Sequence, residues 1–262
     1  MTTKPFQVLN YAALACLYDT LMKDIDYESW ADFIDEVMQT HHSNPVHIHE
    51  MACGTGSLAL SLEELDCYTI HASDISEQML EIAEIKAKKV DSDIIFFPMS
   101  FLNLNYDHTY DIVFSAFDSI NYLLEPSEVL NYLKNSVRLL KPGGLLIFDF
   151  TTPQNSLEAV DYLNNEEVTV GNVRYFRTSS FDIKKQLHYN QFEIERLDPD
   201  TNEVTDAFQE LHCQRVYTLK EMLSIVEQSP YHLEAKYDGF DLVDANENSA
   251  RITMVLSCPT LR

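Results

Sequence analysis

The sequence predicts an α/β protein: a mainly parallel, seven-stranded sheet with helices on both faces, carrying an antiparallel β insertion. Three observations predict it. Between residues 46 and 150, short apolar runs alternate with segments of helical periodicity, the pattern of strand–crossover–strand units. A glycine-bearing turn, Gly54-Thr55-Gly56, lies where the first of these strands hands over to a helix. Beyond Phe150 the helical period fades into runs joined by turn residues such as Asp198-Pro199-Asp200-Thr201-Asn202, the texture of antiparallel hairpins.

In chain order, apolar residues from Tyr11 to Thr40 recur at helical spacing (Leu14, Leu17, Leu21, then Trp30, Phe33, Ile34, Val37). They break near Asp24-Ile25-Asp26, which gives two helices ahead of the first strand. The core then alternates: strand Val46–Met51, helix Ser57–Leu65, strand Tyr68–Ser73, helix Ser76–Val90, strands Ile94–Pro98 and Asp111–Ala116, helix Ser127–Leu140 and strand Leu145–Phe150. Ser76, followed by Glu77 and Gln78, is a helix start: it offers an acceptor to free N–H groups and a negative charge to the positive end of the dipole. Val173–Phe176, Leu187–Ile194 and Val204–Tyr217 read as hairpin strands. A helix at Leu219–Glu227 and strands at His232–Tyr237 and Arg251–Ser257 complete the main sheet. The expected organisation is a helical cap at 1–45, a core made of 46–151 with 218–262, and a β-rich, substrate-side insertion at 152–217.

Composition narrows the function classes. A formal net charge of -24 opposes a phosphate backbone and lacks the basic patch that drives nucleic-acid binding, so a small-molecule partner is expected and DNA or RNA is not. No apolar run reaches the roughly 20 residues of a bilayer span, and Met1-Thr2-Thr3-Lys4-Pro5 does not lead into a signal-type apolar region. A cytoplasmic protein without membrane partners is expected, with a homodimer open. The five cysteines (Cys16, Cys53, Cys67, Cys213, Cys258) are widely spaced, with no Cys-x-x-Cys pair, and read as reduced. His41, His42, His47 and His49 cluster without an acidic or cysteine partner at ligand spacing, so no metal is expected.

Gly54-x-Gly56-x-x-Ala59, with Asp74 about 20 residues on, fits a dinucleotide fingerprint, so the glycines alone leave the nucleotide open. Glu50 distinguishes the alternatives. A carboxylate at the buried end of a central strand is costly without a cation, and it repels a pyrophosphate. A ligand carrying an ammonium and a nearby sulfonium supplies that cation, while Asp74 accepts ribose hydroxyls.

At these residues the chain resembles the class I S-adenosylmethionine-dependent methyltransferases, whose first motif, acidic-x-x-x-Gly-x-Gly, here reads Glu50-Met51-Ala52-Cys53-Gly54-Thr55-Gly56. His71-Ala72-Ser73-Asp74-Ile75-Ser76-Glu77-Gln78-Met79-Leu80 resembles the second motif, and Tyr110–Ser115 resembles the fourth strand. Leu140-Lys141-Pro142-Gly143-Gly144 resembles the turn before the fifth. The resemblance implies a Rossmann-like core and S-adenosylmethionine as cofactor, held by Tyr18, Glu50, Ala52, Cys53, Gly54, Gly56, Asp74, Ile75, Met79, Ser100, Phe101 and Ser115. Many members carry an acid after the third strand to hold the adenine amino group, where this chain has Ser100.

Asp118-Ser119-Ile120-Asn121-Tyr122-Leu123 is similar to a segment of small-molecule methyltransferases that include glycine and amino-sugar N-methyltransferases. Tyr11, Tyr18 and Asp19 and the insertion are similar in layout. Methyl transfer to nitrogen or oxygen of a small molecule is the implied activity. An amine need only arrive neutral, whereas an alcohol needs a general base, for which His188, Tyr189, Asp118, Tyr122 and His212 are candidates. An NAD(P)-dependent oxidoreductase and a non-catalytic methyltransferase-like binding protein are the alternatives.

Overall fold

The computed structural model describes residues 5–260; the expectation for Met1-Thr2-Thr3-Lys4 lies outside them. In chain order the elements are β1 (Phe6–Gln7), α1 (Ala15–Leu21), α2 (Tyr27–His41), β2 (His47–Met51), α3 (Ser57–Glu63), β3 (Thr69–Asp74), α4 (Glu77–Lys89), β4 (Ile95–Pro98) and β5 (Tyr110–Ser115). After a 3-10 turn at Ser119–Tyr122 come α5 (Pro126–Ser136), β6 (Leu140–Thr151), α6 (Pro153–Leu163), β7 (Glu166–Val170), β8 (Val173–Asp182), β9 (Leu187–Leu197) and β10 (Val204–Arg215). The chain closes with α7 (Leu219–Glu227), β11 (His232–Asp238), β12 (Asp241–Asp244) and β13 (Arg251–Ser257).

The main sheet has the order β12-β11-β13-β6-β5-β2-β3-β4. Pairing is parallel from β6 through β5, β2 and β3 to β4, and antiparallel where β13 meets β6 and β11. The α/β class is as expected, with eight strands where seven were read. The extra one, β12, is a short, exposed return of β11 through Asp238-Gly239, where Gly239 has φ 62°, and its surface position removes the apolar pattern that would announce a strand.

Every residue of β5 is buried, as in a central strand covered on both faces. Its alternation splits the core. Ile112 and Phe114 pack with Trp30, Phe33, Val37 and Met38 of α2 and with Leu58 and Leu62 of α3, whereas Val113 packs with Val129, Tyr132 and Leu133 of α5 and with Met222 of α7. α2 presents its apolar face at three- and four-residue intervals, and the Asp26 side chain caps it by accepting from Ser29 N–H. At the amino ends of the strands, Asp111 accepts from Lys141 Nζ (2.8 Å) and from His47 N–H (2.9 Å), tying β5 to β2 and β6. Gly143, at φ 80°, makes the bulge that lets β6 begin at Leu140 rather than Leu145.

The second sheet runs β1-β10-β9-β8-β7, with β10 to β7 antiparallel. Ala13, Leu14 and Leu17 pack on its Tyr175, Phe192 and Ile194, so the N-terminal segment and the insertion share one small core. Two corrections follow. The first helix begins at Ala15, not near Tyr11, because Glu210 captures the N–H groups of Tyr11, Ala13 and Leu14 and holds Tyr11 in a turn with φ 62°. The segment after Thr152 opens with helix α6 before any strand; only Ser156 and Ala159 of it are buried, too few to show a periodic apolar face. Among the described residues, no helix is long and apolar enough to cross a membrane.

Candidate active site

The site is built at the carboxyl ends of β2, β3 and β5. The loop after β2 takes three left-handed residues, Ala52 (φ 56°), Gly54 (φ 55°) and Gly56 (φ 75°). Asp74, at the end of β3, draws this loop in: Oδ2 accepts from Gly54 N–H (2.9 Å) and Oδ1 from Ser76 N–H (2.8 Å). Burial pushes the Asp74 pKa up, with the backbone N–H groups opposing it. Both glycines share the left-handed φ and differ in their packing. A Cβ on Gly56 would lie 2.9 Å from the Phe96 ring, so packing forbids it, whereas at Gly54 the nearest atom is Tyr18 Cε1 at 3.6 Å.

Glu50 is 2% exposed, and its Oε2 has no hydrogen-bond partner. Burial, then the neighbouring Asp74 carboxylate, pushes its pKa well up. Ser115 Oγ, at the end of β5, is likewise buried and unpartnered. Cys53 is a buried thiol whose pKa rises through burial and then through Glu50 and Asp74, which argues against a nucleophile. A buried acid with one oxygen unpartnered is costly unless a cation meets it.

The N-terminal segment closes over the loop. Tyr18 lies against Gly54, Tyr11 meets Tyr18 edge to face at 5.7 Å, and Asp19 accepts from Lys86 Nζ (3.0 Å) and from Thr55 Oγ1 (2.5 Å). Beside it is a cavity of about 400 Å³ lined by Tyr11, Tyr18, Trp30, Phe117, Tyr122, Asn190, His188 and His212, among others. A more open hollow of about 550 Å³ at Leu104–Thr109 and Arg138 lies where the chain enters β5, at the amino end of the sheet and away from Glu50.

Several candidates from the sequence are placed elsewhere. Asp118 is a strut and not a free base: its carboxylate accepts from Arg251 (2.5 Å) and Gln214 (2.7 Å), and its N–H binds Asp149. Tyr189 does not line the cavity, because strand alternation turns it away from the face that carries His188 and Asn190. His188 lines the cavity, bonded to Ser179 Oγ (2.8 Å), and burial lowers its pKa. Met79, in the first turn of α4, is 1% exposed. Phe101 packs edge-on against Tyr132 of α5, and Ser100 Oγ accepts from Asn103 N–H (3.1 Å) within its own loop. Ile75, 73% exposed just past Asp74, stands free at the mouth.

Residues the sequence did not single out complete the site. Glu210 anchors the N-terminal turn, and Arg251 joins Asp118 to Asp149. Glu210, His212 and Gln214 alternate on one face of β10. A polar period of two on a strand was the available signal.

Comparison with known proteins agrees with this geometry. Residues 48–144 match a methyltransferase domain family model. A protein of Geobacillus sp. (strain WCH70) described as a methyltransferase is 32% identical over 166 residues, covering 62% of this chain and 67% of that one. The chain belongs to the S-adenosylmethionine-dependent methyltransferases. An S-adenosylmethionine-dependent methyltransferase of Clostridium acetobutylicum superposes with a TM-score of 0.76 at 25% identity, over 95% of this chain and 99% of that one. The sugar N-methyltransferase of Streptoalloteichus sp. shares the fold, with a TM-score of 0.69 at 16% identity over 91% and 92% of the two chains. The oxidoreductase and non-catalytic alternatives are set aside by this membership.

The cofactor of the methyltransferase is S-adenosylmethionine, and the residues present fit it. The unpartnered, buried Glu50 Oε2 suits its ammonium group. Asp74, with two oxygens each taking one backbone N–H, retains acceptor capacity for ribose hydroxyls.

Proposed function

We propose that this methyltransferase transfers the methyl group of S-adenosylmethionine to nitrogen or oxygen of a small molecule. The observation that carries the reading is the cavity of about 400 Å³, a volume in the range of small-molecule sites. Its walls are mostly aromatic, with a few polar groups to orient a substrate. Trp30 packs against Phe117 and Phe240, both at 4.3 Å between ring centres, and closes the side nearest α2.

S-adenosylmethionine, when bound, supplies a methyl carbon activated by its sulfonium. The chain's own task is then alignment, exclusion of water and handling of a proton. Glu50 and Asp74 would hold the two ends of the cofactor, and Tyr18 would cover the loop. Substrate choice would belong to the N-terminal cap and the β-rich insertion, where Ala13, Leu14 and Leu17 pack on Tyr175, Phe192 and Ile194. The test is S-adenosylhomocysteine release across a panel of small amines and alcohols. Turnover of a panel member supports the reading; methylation confined to peptides or nucleic acid, with none on the panel, would overturn it.

A further inference from the structure

One continuous hydrogen-bonded chain crosses the cavity. Tyr11 Oη lies 2.7 Å from Tyr122 Oη, Tyr122 Oη lies 2.8 Å from His212 Nδ1, and His212 Nε2 lies 2.9 Å from Glu210 Oε2. Glu210 and His212 are 0% and 3% exposed, so no bulk water competes for these bonds.

Glu210 sets the direction of the chain. Burial opposes its ionisation, but donors from His212, Leu14, Ala13 and Tyr11 outweigh burial and hold its pKa below the ordinary value. An ionised carboxylate only accepts, so His212 carries its proton on Nε2. Nδ1 is then a lone pair, and Tyr122 must donate to it. The Tyr122 oxygen is left as the acceptor for the Tyr11 hydroxyl. Tyr11 Oη therefore keeps free acceptor capacity at the end of the chain, beside Tyr18 and the cofactor loop. The Tyr11 phenol itself is held well above its usual pKa by burial and then by Tyr122, so it passes a proton rather than standing as a phenolate.

Resting on the methyl-transfer reading above, we propose that Tyr11, Tyr122 and His212 form a proton relay for a primary or secondary amine that arrives protonated, assembled only when Glu210 seats the N-terminal turn. The ammonium N–H proton passes to Tyr11 Oη, the Tyr11 proton to Tyr122 Oη and the Tyr122 proton to His212 Nδ1. The products are a neutral amine and an imidazolium paired with the Glu210 carboxylate; both tyrosines end neutral, with their hydroxyl protons turned towards the amine, and each must rotate back before the next turnover. The other charges lining the cavity do not compete for this proton: Arg177 pairs with Glu166, and Arg251 pairs with Asp118 and Asp149. His188 is committed to Ser179, and Phe192 covers the remaining side of His212 at 5.3 Å. An amine is favoured over an alcohol because an ammonium gives up its proton to imidazole far more readily than a hydroxyl does. Glu210 also binds the N–H groups of Tyr11 (2.7 Å), Ala13 (2.6 Å) and Leu14 (2.9 Å), so the carboxylate that orients His212 also delivers Tyr11.

The first experiment needs no substrate. Long-range proton–nitrogen correlation on histidine-labelled protein with S-adenosylhomocysteine, assigned with His212→Asn, should show His212 as the Nε2–H tautomer, with Nδ1 a hydrogen-bond acceptor. In Glu210→Gln the fixed tautomer and the amide-exchange protection of Tyr11, Ala13 and Leu14 should be lost together. An Nδ1–H tautomer in the wild type, or loss of one property without the other, overturns the relay. The second experiment compares amines with matched alcohols. Tyr11→Phe and His212→Asn should lower kcat on amines about 100-fold or more, with S-adenosylhomocysteine affinity within threefold, and added imidazole should restore part of the rate to His212→Ala. Full rates in both variants, or turnover of alcohols alone, overturn it. Absence of all turnover with both panels counts against the proposed function, while the tautomer still decides the relay.

Discussion

Glu50→Gln separates the cost of the site from its use. In the free protein Glu50 is an acid with one oxygen unpartnered and a raised pKa, so the wild type gives up stability to keep it. A carboxyl whose folded pKa is raised stabilises the fold fully only below its unfolded value of about 4.5, and that stability is lost as pH rises through the folded pKa. Glutamine keeps the shape and removes the titration. At pH 8 the variant should therefore be the more stable protein, by about 1–3 kcal/mol if the charge costs what unsatisfied buried polar groups usually do, which is a Tm several degrees higher. The gap should close as pH falls towards 4.5.

Cofactor binding should move the other way. Losing a hydrogen bond from a cation to a charged acceptor costs about 1.5–3 kcal/mol, which is roughly 10- to 150-fold in Kd for S-adenosylhomocysteine. Urea unfolding of the free protein at pH 5 and pH 8, together with titration calorimetry, reads both effects. Binding within twofold of wild type would show that Glu50 does not meet the ammonium group. A variant less stable by the same amount at both pH values would show that the carboxylate holds an internal structural role instead.

Three further outcomes follow from packing and pairing. Gly56→Ala drives a Cβ into the Phe96 ring at 2.9 Å on top of its left-handed backbone and should cost about 1–3 kcal/mol or more, read as a lower urea midpoint; Gly54→Ala meets only Tyr18 at 3.6 Å and should cost about 1 kcal/mol, from the left-handed φ of 55° alone. Arg251→Met leaves Asp149, 3% exposed in its side chain, without its cation and should cost about 3–5 kcal/mol, seen as a large drop in Tm. Asp19→Asn breaks the Lys86 contact, in which the two side chains are 47% and 24% exposed, and should change stability by no more than about 1 kcal/mol. It should nonetheless speed S-adenosylhomocysteine release in stopped flow, and high salt should do the same to the wild type.

The parallel core was legible because both kinds of signal in it are local. Ile112–Phe114 of β5 and Leu145–Phe148 of β6 are buried and read as short apolar runs, and the loop residues Ala52 to Gly56 act within a few positions of one another. Asp111 and Lys141 show the same economy: the Lys-Pro-Gly-Gly turn is recognisable because Lys141 must reach Asp111 at the amino end of the neighbouring strand. β12 and α6 were not legible, since an exposed edge and a helix burying two residues leave no period to count.

The substrate side was hidden for a different reason. Glu210 acts on Tyr11 across 199 positions of sequence, and Arg251 acts on Asp118 across 133. No spacing rule reaches so far. Asp118 looked like a base because it follows the fourth strand, yet Arg251 and Gln214 commit both of its oxygens. Tyr122, named on the same segment, is free to act because its hydroxyl faces Tyr11 and His212 rather than a cation. In this fold the position of a polar residue after a central strand tells where it stands, and only its long-range partner tells whether it can react.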